Sequence, residues 1–314
     1  MRLSLEEVIG NARRSGPARL FPRPDDPRVR HGAVFSEIWP RFSLPSGTSV
    51  FMIGSCFSRS VEERLRGFRV PTMDLTIPSG ERPGRPNGVL NEYNPGTICQ
   101  RLEHAATKSS FGDHCIAPDG DGFLDLLLPD YVAPCRTERL LERRDEVDQV
   151  YSALPGCEAV IITFDLIEAW YDKKADLYLN RIPPAAFLMA ERDRFELHVL
   201  DIDETERLFE RTVAAVRSVG VKKIILTVSP VPLEGTYTGQ DSTVANNFSK
   251  SVLIVCANRL CRSYPDVDYF PGYEIVMSAG PASYEADSVH VRDDVVDSVT
   301  SYLVERYAEE GGSA

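Results

Sequence analysis

The chain has 314 residues, 43% of them apolar and 26% charged, and carries a net charge of −12. That balance supplies a sizeable core, and its sign excludes a phosphate-backbone binder, which needs a basic face, as well as adhesion to anionic membranes. No apolar run approaches the ~20 residues needed to span a bilayer. The start, MRLSLEEVIGNARRSG, lacks the apolar stretch of a secretion signal. Seven scattered cysteines form neither a CxxC pair nor a disulfide framework, so the expected setting is a reducing cytoplasm.

Residues 1–45 are rich in proline and arginine and read as an arm packed on the domain, with a helix over 3–14. Residues 49–54 (SVFMIG) form an apolar run ending in glycine, and Phe57, Val61, Leu65 and Phe68 follow at helical spacing, which predicts strand, tight turn and helix in order. A glycine- and proline-rich loop spans 77–88, and a helix with proline in its first turn is expected over 95–106. Residues 137–153 read as a charged helix. A second buried strand covers 158–164 (EAVIITF), continuous in its apolar character as parallel strands are.

Two β-like runs, LYLN and RFELHVL, separated by Pro183-Pro184, read as a hairpin-like insertion beside the sheet. An amphipathic helix over 204–219, a third buried strand over 222–228, a helix over 242–262, a short strand over 267–270 and a closing helix over 293–307 complete the chain. Strands alternating with helices predict a three-layer α/β sandwich with a mostly parallel sheet. One domain is expected over 46–314.

In such a sheet, ligands bind outside the carboxyl ends of the strands. Four loops fall there. The turn Gly54-Ser55-Cys56-Phe57 places Cys56 at a helix N-terminus, where backbone N–H groups favour a thiolate and can hold an oxyanion. Taken alone, the turn fits Ser55 as a helix cap and Cys56 as a small core residue rather better. Asp287-Ser288-Val289-His290 puts a carboxylate and an imidazole on one face of a turn, the pairing that fixes a histidine's tautomer for base work; a D-x-x-H also occurs in ordinary surface turns. The loop holding Asn91 and Asn94 offers amide donors to an oxyanion, or a plain helix start. After the second strand, Asp165 and Glu168 are candidates for substrate binding or histidine support, and Trp170 for core or ligand wall. The Ser229-Pro230-Val231-Pro232 loop reads as a structural turn bordering the cleft. The histidines do not cluster and Cys256 and Cys261 diverge on a helix, so no metal site is expected. No dinucleotide or P-loop glycine pattern follows the first strand.

Gly54-Ser55-Cys56-Phe57-Ser58 resembles the signature of the GSCFA-domain family, a branch of the SGNH/GDSL hydrolase-like superfamily. The likeness continues through NEYNP at 91–95, TFDLIEAWYD at 163–172, RFEL at 194–197, LTVSPVPL at 226–233, NFSK at 247–250, YFPGYE at 269–274 and Asp287 with His290. It implies a flavodoxin-like sheet of about five parallel strands and a cleft with a D-x-x-H base. Ser58 stands where the family's pentapeptide has alanine, and Asp165 where the family tends to have glycine. In the wider superfamily the strand ends in Gly-Asp-Ser, so counting from Gly54 places Cys56 at the nucleophile position.

The expected activity is acyl transfer: His290, oriented by Asp287, deprotonates Cys56, and Ser55 caps the helix or lines the oxyanion hole. Backbone groups at Gly54 and Phe57, with Asn91 or Asn94, hold the oxyanion. No cofactor is expected to stay bound; coenzyme A or an acyl-carrier thioester is the expected co-substrate, and the acceptor a hydroxyl or amine of a small molecule or glycan. An esterase or thioesterase using the same groups, and a non-catalytic binder of the same fold, are the alternatives.

Overall fold

The computed structural model describes residues 2–75, 81, 87–129 and 132–309, so most of the loop expected over 77–88 lies outside the described residues. Along the chain come α1 (Leu5–Ser15), a ribbon of β1 (Val29–Arg30) and β2 (Ala33–Val34), β3 (Val50–Gly54), α2 (Cys56–Glu62) and α3 (Pro95–Thr107). A hairpin of β4 (Ile116–Asp119) and β5 (Gly122–Asp125) precedes α4 (Thr137–Tyr151), β6 (Ala159–Phe164), β7 (Glu168–Asp172), β8 (Leu177–Tyr178), α5 (Ala185–Ala190) and β9 (Phe195–Val199). Then follow α6 (Ile202–Ser218), β10 (Lys223–Val228), α7 (Ser242–Ser263), β11 (Val267–Tyr269), α8 (Gly272–Ser278) and α9 (Asp293–Tyr307).

The central sheet is parallel throughout, in the order β11-β10-β6-β3. Its apolar runs are continuous because both faces are covered. Alternate residues point to opposite sides. Phe51, Ile53, Val160, Ile162, Ile224 and Leu226 pack with α3, α6 and α7, while Val50, Met52, Ile161 and Ile225 pack with α2, α8 and α9. Each such fully buried side chain contributes on the order of 1.5–3 kcal/mol. Four strands carry the sheet; at its outer edge the expected fifth is reduced to bridges. Val50 N donates to Arg69 O (2.8 Å), Arg69 N to Thr48 O (3.0 Å) and Glu92 N to Gly54 O (2.9 Å). To reach that edge the chain leaves α2 at Glu62, earlier than the apolar spacing through Phe68 predicts, and turns at Gly67 with φ +83°. Leu65 and Phe68 still join the core beside α2.

The insertion differs from expectation in its pairing. The runs around Leu177 and Phe195 do not pair with each other; β8 and β9 flank β7 in a three-stranded antiparallel sheet, order β8-β7-β9. Pro183-Pro184 leads into α5 between them. In the arm, Ala33, Phe35 and Leu44 are buried in the core around α9, and Leu44 N donates to Tyr307 O at 2.6 Å, whereas α1 buries none of its residues. No helix among the described residues is long and apolar enough to cross a membrane.

Candidate active site

β3, β6 and β10 end at Gly54, Phe164 and Val228, and the loops beyond them border a cleft of about 620 Å³. Cys56, Asn91, Asp165, Glu168, Asp287 and His290 all line it. Folding therefore brings the turn after β3 and the loop before α9 to one cleft. Only glycine fits at 54: φ is +147°, and an added Cβ would lie 2.5 Å from Thr163 O. That tight approach lets the chain reverse directly into α2, with Cys56 as its first residue. Cys56 and Cys135 are partly exposed, while the other five thiols are buried.

Ser55 departs from both roles expected of it. It occupies the N-cap position with extended backbone, yet its side chain makes no cap hydrogen bond. The residue is completely buried, and its hydroxyl donates to Ser229 Oγ at 3.2 Å, which also accepts from Val231 N. Ser55 thus fastens the turn after β3 to the loop after β10, and neither caps α2 nor lines the cleft. Gly54 and Phe57 also lie off the cleft lining; the Phe57 ring is buried in the core around α9.

His290 and Asp287 form a preorganised unit. Asp287 Oδ2 lies 2.6 Å from His290 Nδ1, and Oδ1 accepts from the backbone N–H of Val289 (2.9 Å) and His290 (3.0 Å). The imidazole and these two N–H groups hold the Asp287 carboxyl well below the usual carboxylate range. The loop closes on itself: Glu285 N donates to His290 O, Tyr284 bridges Val291, and Ser288 takes φ +60° to make the turn. With Nδ1 occupied, Nε2 is the nitrogen left for proton transfer. The side chain of His290 is 66% exposed, so water reaches this end of the cleft.

The two asparagines separate in role. Asn94 also lines the cleft and caps α3, with Oδ1 accepting from Thr97 N (2.9 Å) and one Nδ2 N–H donating to Leu179 O (3.3 Å). Asn91 is 3% exposed, its Nδ2 reaches Tyr93 Oη at 3.3 Å, and its Oδ1 has no partner. Its backbone is fixed from two sides: Glu92, next in the chain, is buried against Arg101 (3.2 Å), and the Asn180 amide donates to Asn91 O. Asn91 is therefore a buried, rigidly placed amide lining the cleft, and its Nδ2 carries a second N–H beyond the one that reaches Tyr93.

Across residues 49–302 the chain matches the model of the GSCFA family. The chain belongs to the GSCFA family. No curated protein matches it. Among solved structures, an acetyl-xylooligosaccharide esterase mutant from Geobacillus stearothermophilus is 15% identical, with 87% of this chain and all of that chain (100%) covered, at a TM-score of 0.36. A catalytic mutant of an acetylxylan esterase from the same organism is 16% identical, covering 86% and 98%, at 0.36. An α/β hydrolase enzyme from the metagenome of Lake Arreo, Spain, is 13% identical, covering 84% and 96%, at 0.34. Likeness this distant says nothing of the substrate.

Within this GSCFA chain, Asp165 is not a free carboxylate in the cleft. Lys250 Nζ, itself 1% exposed, donates to Asp165 Oδ1 and to Asp165 O, both at 2.7 Å. Ser249 Oγ accepts from Ile167 N at 3.0 Å, so α7 fastens the whole turn after β6. Lys250→Met leaves Asp165 buried without its counter-charge and is expected to cost about 3–5 kcal/mol. Urea unfolding checks this, and Asp165→Leu in the same chain should recover most of the loss. Glu168 is committed as well: it accepts from Thr236 Oγ1 (2.6 Å) and Tyr237 N (3.2 Å), pinning the loop after β10 rather than offering its charge to a ligand.

Lys250, Ser249 and Asn180 are supporting residues that motif reading gave no role, and Ser229 fits the structural turn read for its loop. Lys250 carried one signal: it sits three and seven residues before Leu253 and Ala257, inside the apolar stripe of α7. A lysine in such a stripe calls for a buried carboxylate partner.

Proposed function

We propose that the protein is an acyl-handling enzyme that forms an acyl-thioester on Cys56. The observation that carries this is the placement of Cys56 and the Asp287-held His290 on one cleft. In this reading His290 Nε2 takes the thiol proton as the Cys56 sulfur attacks the carbonyl carbon of an ester or thioester. The Cys56 backbone N–H and the Asn91 amide receive the oxyanion. The leaving group departs with the proton from Nε2. His290 then deprotonates the second acceptor, whose oxygen or nitrogen attacks the acyl carbon and returns sulfur to the thiol.

Water is the favoured acceptor, because His290 stands in an open mouth (66% of its side chain is exposed). The transfer preferred from the sequence would need a site that excludes water.

The test is to mix the protein with an acyl thioester, quench in acid and map the adduct by peptide mass spectrometry. The acyl mass is expected on Cys56; an adduct on Ser55, or none on any residue, contradicts the assignment. Asn91→Ala should lower kcat by about 10²–10³-fold, the usual loss for one oxyanion donor, with KM little changed in steady-state assays.

A further inference from the structure

We infer that the acyl group is apolar and longer than acetyl, and that it lies along a hydrophobic row on the face of the small antiparallel sheet; this rests on the Cys56 reading above. The register of that sheet sets Trp170 opposite Leu197, and Leu179 N donates to Trp170 O at 2.7 Å on the other side. Leu179, just past β8, Trp170 on β7 and Leu197 on β9 therefore stand side by side, and all three line the same cleft as Cys56. Tyr237 leans over the row edge-on, its ring centroid 5.9 Å from that of Trp170, while remaining 65% exposed. The Glu168 bonds to Thr236 and Tyr237 hold this second wall in place. An acetyl group would leave Trp170 and Leu197, both partly exposed above the buried Leu179, uncovered, and the cleft of about 620 Å³ far exceeds its needs.

The experiment uses thioesters of an uncharged thiol, N-acetylcysteamine, from acetyl to decanoyl. kcat/KM is expected to rise about fourfold for each methylene buried until the row is covered. The octanoyl-to-acetyl ratio should fall about tenfold or more in Trp170→Ala. Leu197→Ala, a milder truncation on the same row, should move the ratio in the same direction and guards against a Trp170 variant that fails to fold. A flat or falling series in the unaltered protein, with octanoyl acylating Cys56 no faster than acetyl, overturns the inference alone. Absence of any adduct at Cys56, whatever the chain length, overturns the underlying reading, and the two failures are told apart by intact mass.

Discussion

Cys56→Ala is expected to abolish acyl-enzyme formation and to reduce turnover to the level supported by binding and oxyanion donors alone. Among the described residues the neighbouring hydroxyl offers no substitute: Ser55 is wholly buried and donates to Ser229, away from the cleft. The other exposed thiol, Cys135, does not line the cleft. Loss of a nucleophile in a comparable catalytic unit costs about 10⁶-fold, leaving a residual of about 10³–10⁴ over water. Cys56 also begins α2 and is only half-buried, so the substitution should leave the unfolding transition nearly where it was. Turnover and urea unfolding, measured on the same preparation, check both parts. Activity within tenfold of the parent would remove Cys56 from the mechanism.

His290→Ala is expected to lower kcat/KM by about 10²–10⁴-fold, the range for a positioned general base, with little loss of stability because the side chain is 66% exposed. Asp287→Asn should come close to it. The carboxylate now accepts from Nδ1 and from two backbone N–H groups; an amide in its place can present N–H to Nδ1, which moves the ring proton to Nε2 and removes the base. The sign of the Asp287 shift also bears on pH. Because its carboxyl is held below the ordinary range, it stays ionised through neutral and mildly acidic pH and goes on orienting the ring there. Any contribution it makes to folding is present above the ordinary carboxylate range and lost only as pH falls through its depressed value. Rate–pH profiles of the parent and of Asp287→Asn, alongside His290→Ala, separate orientation from proton transfer.

The parts of this molecule that local sequence made legible are those whose physics is local. Residues 49–54, 158–164 and 222–228 read as buried strands because nearly every position in them faces a helical layer. Asp287 and His290 are three apart and bond within one turn. The parts that stayed hidden depend on partners far along the chain. β7 escaped notice because only Ala169 and Asp172 in it are fully buried, so EAWYD shows neither a continuous apolar run nor a clean alternation. Asp165 looked like a free acidic group until α7, 85 positions away, supplied Lys250. Ser55 looked like a cap, and its true partner, Ser229, lies 174 positions on. Asn94 read equally well as oxyanion donor or helix start, and its bond from Thr97 N shows the helix start, a partner three positions away.

The central claim is that an imidazole activates the thiol at the end of β3, and peptide-resolved alkylation measures it directly. With iodoacetamide at neutral pH, Cys56 in the unaltered protein should react at least tenfold faster than Cys56 in His290→Ala, while Cys135, also partly exposed, keeps one rate in both. Equal rates at Cys56 in the two proteins would contradict the account.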